Sequence, residues 1–317
     1  MIRVLLIPRE IFYIWKITCT KTMLDFNTSL LLKIISSLFF LVSGIVWKKL
    51  LLKDRINYHY IFYRVIATLF FFLLLKSYFQ YAEIEYFNVG FSRITYADWL
   101  FCISLCLFSF WGLYFYTEAL QNGRLSFIAP LVVISSAISF ITSVIFYNEV
   151  LSVSKYFSLL LIIIGLILHQ REKLRNFEIS REVLLILLFS LFWGISFVFY
   201  LIPIKKFGVI NFSVILEVCV FISCLGLLIF KEKRIIPPTL SKNSLLLCLL
   251  MGFLVAAGSF LSNFTLTLFP VSMNILIGLL FEIIILAVGI YFFREKLDKK
   301  DWLFILFASF GGFLLLF

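Results

Sequence analysis

The feature that most constrains this chain is its succession of apolar runs close to the thickness of a bilayer core, within which stretches such as Leu159 to Leu168 (LLLIIIGLIL) are apolar on every side. A membrane-spanning helix needs about 20 mostly apolar residues, and the hydrocarbon region tolerates no unpaired backbone groups facing lipid, so such runs must be helical. A transmembrane barrel is excluded by pattern, because its strands alternate apolar and polar positions over about 10 residues. A soluble fold is excluded by composition. Of 317 residues 63% are hydrophobic and 14% charged, against roughly 45–50% and about 25% in soluble domains.

Apolar runs bounded by charges or by Pro and Gly predict ten spans, at 29–47, 59–75, 99–117, 126–147, 153–169, 183–204, 209–230, 244–268, 271–293 and 301–317. The net charge of +11 comes with basic residues set in short loops between these runs, which is membrane-flanking charge and not a nucleic-acid surface. Five of the six cysteines (Cys102, Cys106, Cys219, Cys224, Cys248) lie inside apolar runs without a CxxC pair, so metal and disulfide roles are not expected. The histidines, His59 and His169, sit at span edges and read as structural or interfacial. Residues 1–22, interrupted by Arg9, Glu10, Lys16 and Lys21, do not resemble a cleavable signal peptide. They read as a peripheral extension, or Met23 as the start. The gap at 76–97, polar and aromatic, reads as an interfacial segment and not as a domain.

Sliding the chain on itself by 146 residues pairs Cys102 with Cys248, Gly112 with Gly258, Ser126 with Ser272, Glu149 with Glu295 and Gly165 with Gly311. Earlier in each half the offset drifts, so that Gly44 meets Gly194 at 150 and Arg64-Val65 meets Glu217-Val218 at 153. Five spans separate each residue from its copy. An odd-span repeat makes the halves run through the membrane in opposite senses, an architecture that places a site at the midplane and permits alternating access. The expected fold is an all-α membrane protein of ten transmembrane helices in two inverted five-helix repeats, 29–170 and 183–317, after an extension at 1–28 and joined by a charged loop at 171–182.

Ser43-Gly44 leading to Lys48, Trp193-Gly194 leading to Lys205, Arg64 in the second span, Tyr116 to Leu120 (YTEAL), Pro130 to Glu149 and Gly165 occur in a characteristic order. In that order they resemble the drug/metabolite transporter superfamily and, within it, the EamA-like ten-span exporters. The chain departs from the pattern at Ser43 in place of Trp, at Asn148 and Arg294 before the two Glu residues, and at Leu276 opposite Pro130. The resemblance implies a transporter, not an enzyme, with no cofactor and both termini cytoplasmic. Positive charge points the other way: loops after odd-numbered spans hold 17 Lys and Arg against 5 after even-numbered ones, which places the termini outside. The resemblance is the expectation carried forward.

Charge inside a span costs roughly 2.5–3.5 kcal/mol at a helix centre, so such residues face a cavity or a partner. Three qualify: Arg64, Glu217 and Glu282. Glu282, central in its run, is the strongest candidate for a carboxylate coupled to protons or substrate; the plain alternative is an inward carboxyl tied to a neighbour. Arg64 and Glu217 hold corresponding repeat positions, so a pseudo-twofold axis pairs them, as a gate or substrate clamp or as a purely structural ion pair. Asn263 and Asn274 are substrate candidates or interhelical glue. Trp193 and Tyr114 are candidates to line a cavity for planar or cationic solutes, against a background of aromatic lipid contact. Glu149 and Glu295 read as caps of the next helix. No Walker loop, zinc-ligand set or Ser-His-Asp arrangement is present, so transport would draw on a gradient or on facilitated diffusion. The expected function is secondary transport of small polar or amphiphilic metabolites, exporting amino acids or related compounds, with possible proton coupling, in the cell membrane (inner or plasma membrane for a bacterium). A lipid-linked sugar flippase and a non-transport membrane scaffold are the alternatives.

Overall fold

A computed structural model describes residues 26–51, 57–82, 94–122, 125–149, 152–175, 181–293 and 299–314. The extension at 1–22 and Glu295 lie outside the described residues, as does half of the 76–97 gap, residues 83–93. The described residues are helical, with no strand among them. The helices are α1 (Phe26–Leu51), α2 (Asn57–Tyr81), α3 (Tyr96–Asn122), α4 (Leu125–Tyr147), α5 (Val153–Arg175), α6 (Arg181–Phe199), α7 (Leu201–Phe207), α8 (Val209–Glu232), α9 (Lys242–Thr265), α10 (Val271–Phe293) and α11 (Lys299–Leu314). Among the described residues, α1, α2, α3, α6, α8 and α9 are each long and apolar enough to cross a membrane. The large apolar side chains left on the outside, among them Phe70, Ile145, Leu160, Leu246 and Leu306, form the kind of surface that lipid covers at no cost.

Sequence chemistry explains where the helices stop. The run expected as one span at 183–204 divides, because Pro203 has no N–H to continue the ladder. Tyr200 N donates to Phe197 O (3.3 Å) in a tightened turn, and helix resumes as Ile204 N donates to Tyr200 O (3.0 Å). Gly208, at φ 81°, then supplies the left-handed backbone that turns α7 into α8. α3 begins with a capping box: Thr95 N donates to Asp98 Oδ2 (2.9 Å) and Asp98 N to Thr95 Oγ1 (3.3 Å).

Helices pack mainly across the halves. α1 lies on α9, α3 on α6, α1 on α10, α4 on α6, α2 on α9, α3 on α8, and α2–α8, α4–α10 and α5–α11 face each other. Exchanging α1 with α6, α2 with α8, α3 with α9, α4 with α10 and α5 with α11 returns this same set of pairs. Small residues permit the approach. A Cβ on Gly112 of α3 would stand 3.0 Å from the backbone nitrogen of Trp193 on α6, and one on Gly252 of α9 would collide with the Ala67 Cβ of α2. Serine hydroxyls pin the same seams: Ser36 Oγ donates to Gly258 O (2.8 Å) and Ser139 Oγ to Gly194 O (2.7 Å).

Contacts sort the helix ends into two groups. At the near end, where α1 begins, the Phe26 ring meets Phe269 at 5.5 Å, Tyr147 OH donates to Val198 O (2.9 Å) and Trp99 meets Phe207 at 4.8 Å. At the far end, Lys48 Nζ donates to Leu120 O (2.6 Å), Arg181 Nη2 to Glu118 Oε1 (2.9 Å) and Tyr58 OH to Glu232 Oε1 (2.5 Å).

Candidate functional site

Arg64 of α2 and Glu217 of α8 meet at the seam between the halves. Arg64 Nη1 donates to both carboxylate oxygens, at 2.7 and 2.9 Å, and the side chains are 4% and 6% exposed. One nitrogen serves both oxygens, which differs from the two-nitrogen fork typical of Arg–carboxylate recognition. Thr68 Oγ1 donates to the Arg64 carbonyl (2.9 Å), fixing the turn that carries the guanidinium. Two charges at this depth would each be costly alone, and together they compensate.

The near end holds the two asparagines. Asn263 Nδ2 donates to Ser213 Oγ on α8 (2.9 Å). Asn274 Nδ2, in the first turn of α10, donates to Thr265 O at the end of α9 (3.0 Å), while its Oδ1 and the Ser272 hydroxyl are buried without a partner among the described residues. Glu149 takes Val271 N and Ser272 N at 2.7 and 3.0 Å. The sequence expectation was that Glu149 caps the next helix; it caps α10, in the other half, because the end of α4 abuts the start of α10. A carboxylate on exposed N–H groups at a helix N-terminus is favourable in either case.

Tyr114 stands at the far end, its hydroxyl accepting from Lys231 Nζ at 2.9 Å and its ring lying 5.2 Å beneath that ammonium. Trp193 stacks on Phe189 at 6.2 Å and meets Tyr200 edge-on at 6.5 Å, and its backbone lies against Gly112, so it belongs to the α3–α6 packing. The side chain of Glu282 lies outside the described part of α10.

Two groups carry polar chemistry that the sequence did not single out. The first is Lys33, 5% exposed, whose Nζ donates to Ser262 Oγ (3.2 Å) and stands 5.8 Å over the Phe197 ring. It sits four residues into a run that reads from residue 29, where a lysine passes for flanking charge; the described helix already runs from Phe26. The second is Glu232, where Tyr58 OH and His59 Nε2 converge on one carboxylate oxygen at 2.5 and 2.6 Å. Together with Asn57 Nδ2 donating to Glu118 Oε2 (3.0 Å) and Arg181 on the same carboxylate, these residues lace α2 and α3 to α6 and α8 across the far end.

The comparisons with known proteins agree in one direction. The model of the EamA-like transporter family matches residues 27–169 and again 180–317. No curated protein matches the sequence. Among solved structures 27 chains match. One of them, described only as "Crystal structure of protein", superposes with a TM-score of 0.65 over 91% of this chain and 96% of its own, at 11% identity, a likeness of fold alone.

Proposed function

The chain belongs to the EamA-like transporter family, and from that premise we propose that it is a secondary transporter that exports small polar or amphiphilic metabolites, amino acids or related compounds, by alternating access between its two repeats. As a member of that family it is an integral multi-pass membrane protein and a transporter of the drug/metabolite transporter superfamily, which sets the scaffold alternative aside. In this reading the ten long helices are ten spans, in two sets of five of opposite sense, in the plasma or inner membrane of the cell.

The observation that carries the reading is the exchange symmetry of the packing: swapping the halves leaves the main set of helix pairs that pack across the halves unchanged. The sense of the repeats has support of its own, because α1 begins at the near end beside Phe269, whereas its counterpart α6 begins at the far end, where Arg181 meets Glu118. Two like halves packed this way can rock about their shared seam and expose a central solute to either side in turn.

Energetics divide the polar ties into a pivot and two sets of gates. The Arg64–Glu217 pair is sealed from water, and losing one partner of such a pair costs about 3–5 kcal/mol. Two of the end ties are exposed: Arg181–Glu118 has side chains 71% and 18% exposed, and Lys206–Asp98, at 3.6 Å, 52% and 20%. Pairs of that kind contribute about 0–1 kcal/mol each, so they yield at little cost, and the far end parts once the less exposed Tyr58/His59–Glu232 tie lets go. Glu282 remains the carboxylate we assign to coupling with a proton gradient.

The test is a metabolite flux screen in proteoliposomes, with and without a pH gradient. We expect flux of at least one small polar solute, accelerated by the gradient. Absence of flux for every solute, with the protein intact in the membrane, would count against the reading.

A further inference from the structure

Lys33 is a buried cation whose counter-charge the described protein does not supply. It lies seven residues inside α1, about 10 Å from the start of that helix at 1.5 Å per residue, wedged between Ser262 on α9 and Phe197 on α6, both from the other repeat. The other two cations buried in the described helices are accommodated differently. Arg64 has the Glu217 carboxylate, and Lys48, in the last turn of α1, reaches the Leu120 carbonyl. Among the described residues no carboxylate faces Lys33. An ammonium carries three donors; here one is taken by a hydroxyl, and a ring face supplies only weak attraction for the charge.

A second deficit lies next along the same helix. Ser262 is one turn from Thr265 on α9, and the Thr265 carbonyl accepts from Asn274, whose own amide oxygen has no donor among the described residues. The Ser272 hydroxyl is likewise buried and without a partner among them. α10, which carries both, packs against α1, and its first turn is tied to the end of α9 by that Asn274 bond. Buried polar groups are nearly always satisfied, so unmatched ones are completed by water or by a ligand. Among the described residues, an ammonium short of acceptors where α1 meets α6 and α9, and an amide oxygen without a donor where α10, packed on α1, meets the end of α9, complement a small solute bearing an anionic group and a hydrogen-bond donor.

We propose that Lys33 is the anion-binding group of the transport site, taking the carboxylate or phosphate group of the solute, with Asn274 Oδ1 accepting from a donor on that same solute. This inference rests on the transport reading and names the class of substrate. It also accounts for a charge kept within an apolar stretch of α1: with solute bound, the ammonium gains a full counter-charge, and on release it falls back on Ser262 and Phe197.

Binding is measured without flux, so the two readings can fail separately. The full-length protein in detergent is melted with lactate, inorganic phosphate and glycerol phosphate, and with putrescine and glucose as non-anionic controls. At least one anion should raise the melting temperature of the wild type and of Lys33→Arg; the carboxylate and phosphate arms decide which chemistry is used. Lys33→Gln should need about tenfold more anion or greater for the same shift, the value of a lost charge-assisted hydrogen bond. Should Lys33→Gln not fold, Phe197→Cys, which keeps Lys33, replaces it: the stabilising anion must slow its modification by a thiol reagent. The proposal is overturned if no anion stabilises the wild type, if the wild type and Lys33→Gln respond equally, or if the anion leaves Phe197→Cys modification unchanged. Anion binding without flux would instead count against transport.

Discussion

Glu217→Gln keeps the size of the side chain and removes its charge, leaving the Arg64 guanidinium buried against an amide. Two unit charges about 4 Å apart attract by about 4 kcal/mol at an effective dielectric constant of 20, and removing one member of a buried pair costs about 3–5 kcal/mol. The pair here is 4% and 6% exposed, so water can do little to rescue the survivor. Glu217→Gln and Arg64→Gln should each lower stability by that amount. Replacing both, as Arg64→Met with Glu217→Leu, should bring the protein back to within about 1 kcal/mol of wild type, because no uncompensated charge remains. Arg64→Lys should fall between, since a single nitrogen already makes both contacts, at 2.7 and 2.9 Å. The assay is equilibrium unfolding in detergent micelles, read as a double-mutant cycle. Singles that unfold like the wild type, or a double variant that loses the sum of the two single losses, would refute the reasoning.

Other expectations are sharper about location. Gly252→Val should destabilise by about 1–3 kcal/mol through overpacking against Ala67, whereas Gly44→Ala, whose Cβ would meet nothing within 4 Å, should be neutral; thermal melting of the two variants checks both. Glu149→Ala strips the cap from α10 and should cost about 1–2 kcal/mol, measured as a lowered melting temperature. A C-terminal alkaline phosphatase fusion should be inactive if the termini are cytoplasmic as in the family; an active fusion would show that the charge bias governs orientation.

Much of the fold was legible because lipid imposes a simple rule: run length and the spacing of Arg64 from Glu217 on a repeat were enough to expect helices and to expect those two residues to meet. What a single sequence reports poorly is facing. Lys33 was missed because its depth depends on how far α1 extends ahead of the apolar run, and the described helix already includes residues 26–28. Glu232 was missed because its worth lies in Tyr58 and His59, far away in the chain. Glu149 was read as a cap, and its true partner is α10, since helix ends close in space need not be close in sequence. The break at Tyr200 was legible in Pro203 and Gly208 but was submerged in an apolar stretch that reads as one span.

Alternating access requires the far end to part, and that end is tied where Tyr58 and His59 of α2 hold Glu232 of α8. The most direct measurement joins them: His59→Cys with Glu232→Cys, the native cysteines replaced, bridged by a reversible bifunctional methanethiosulfonate, and flux of a transported solute followed in proteoliposomes. Bridging should stop flux and reduction should restore it, with either single-cysteine variant unaffected by the reagent. Undiminished flux through fully bridged protein would contradict the account.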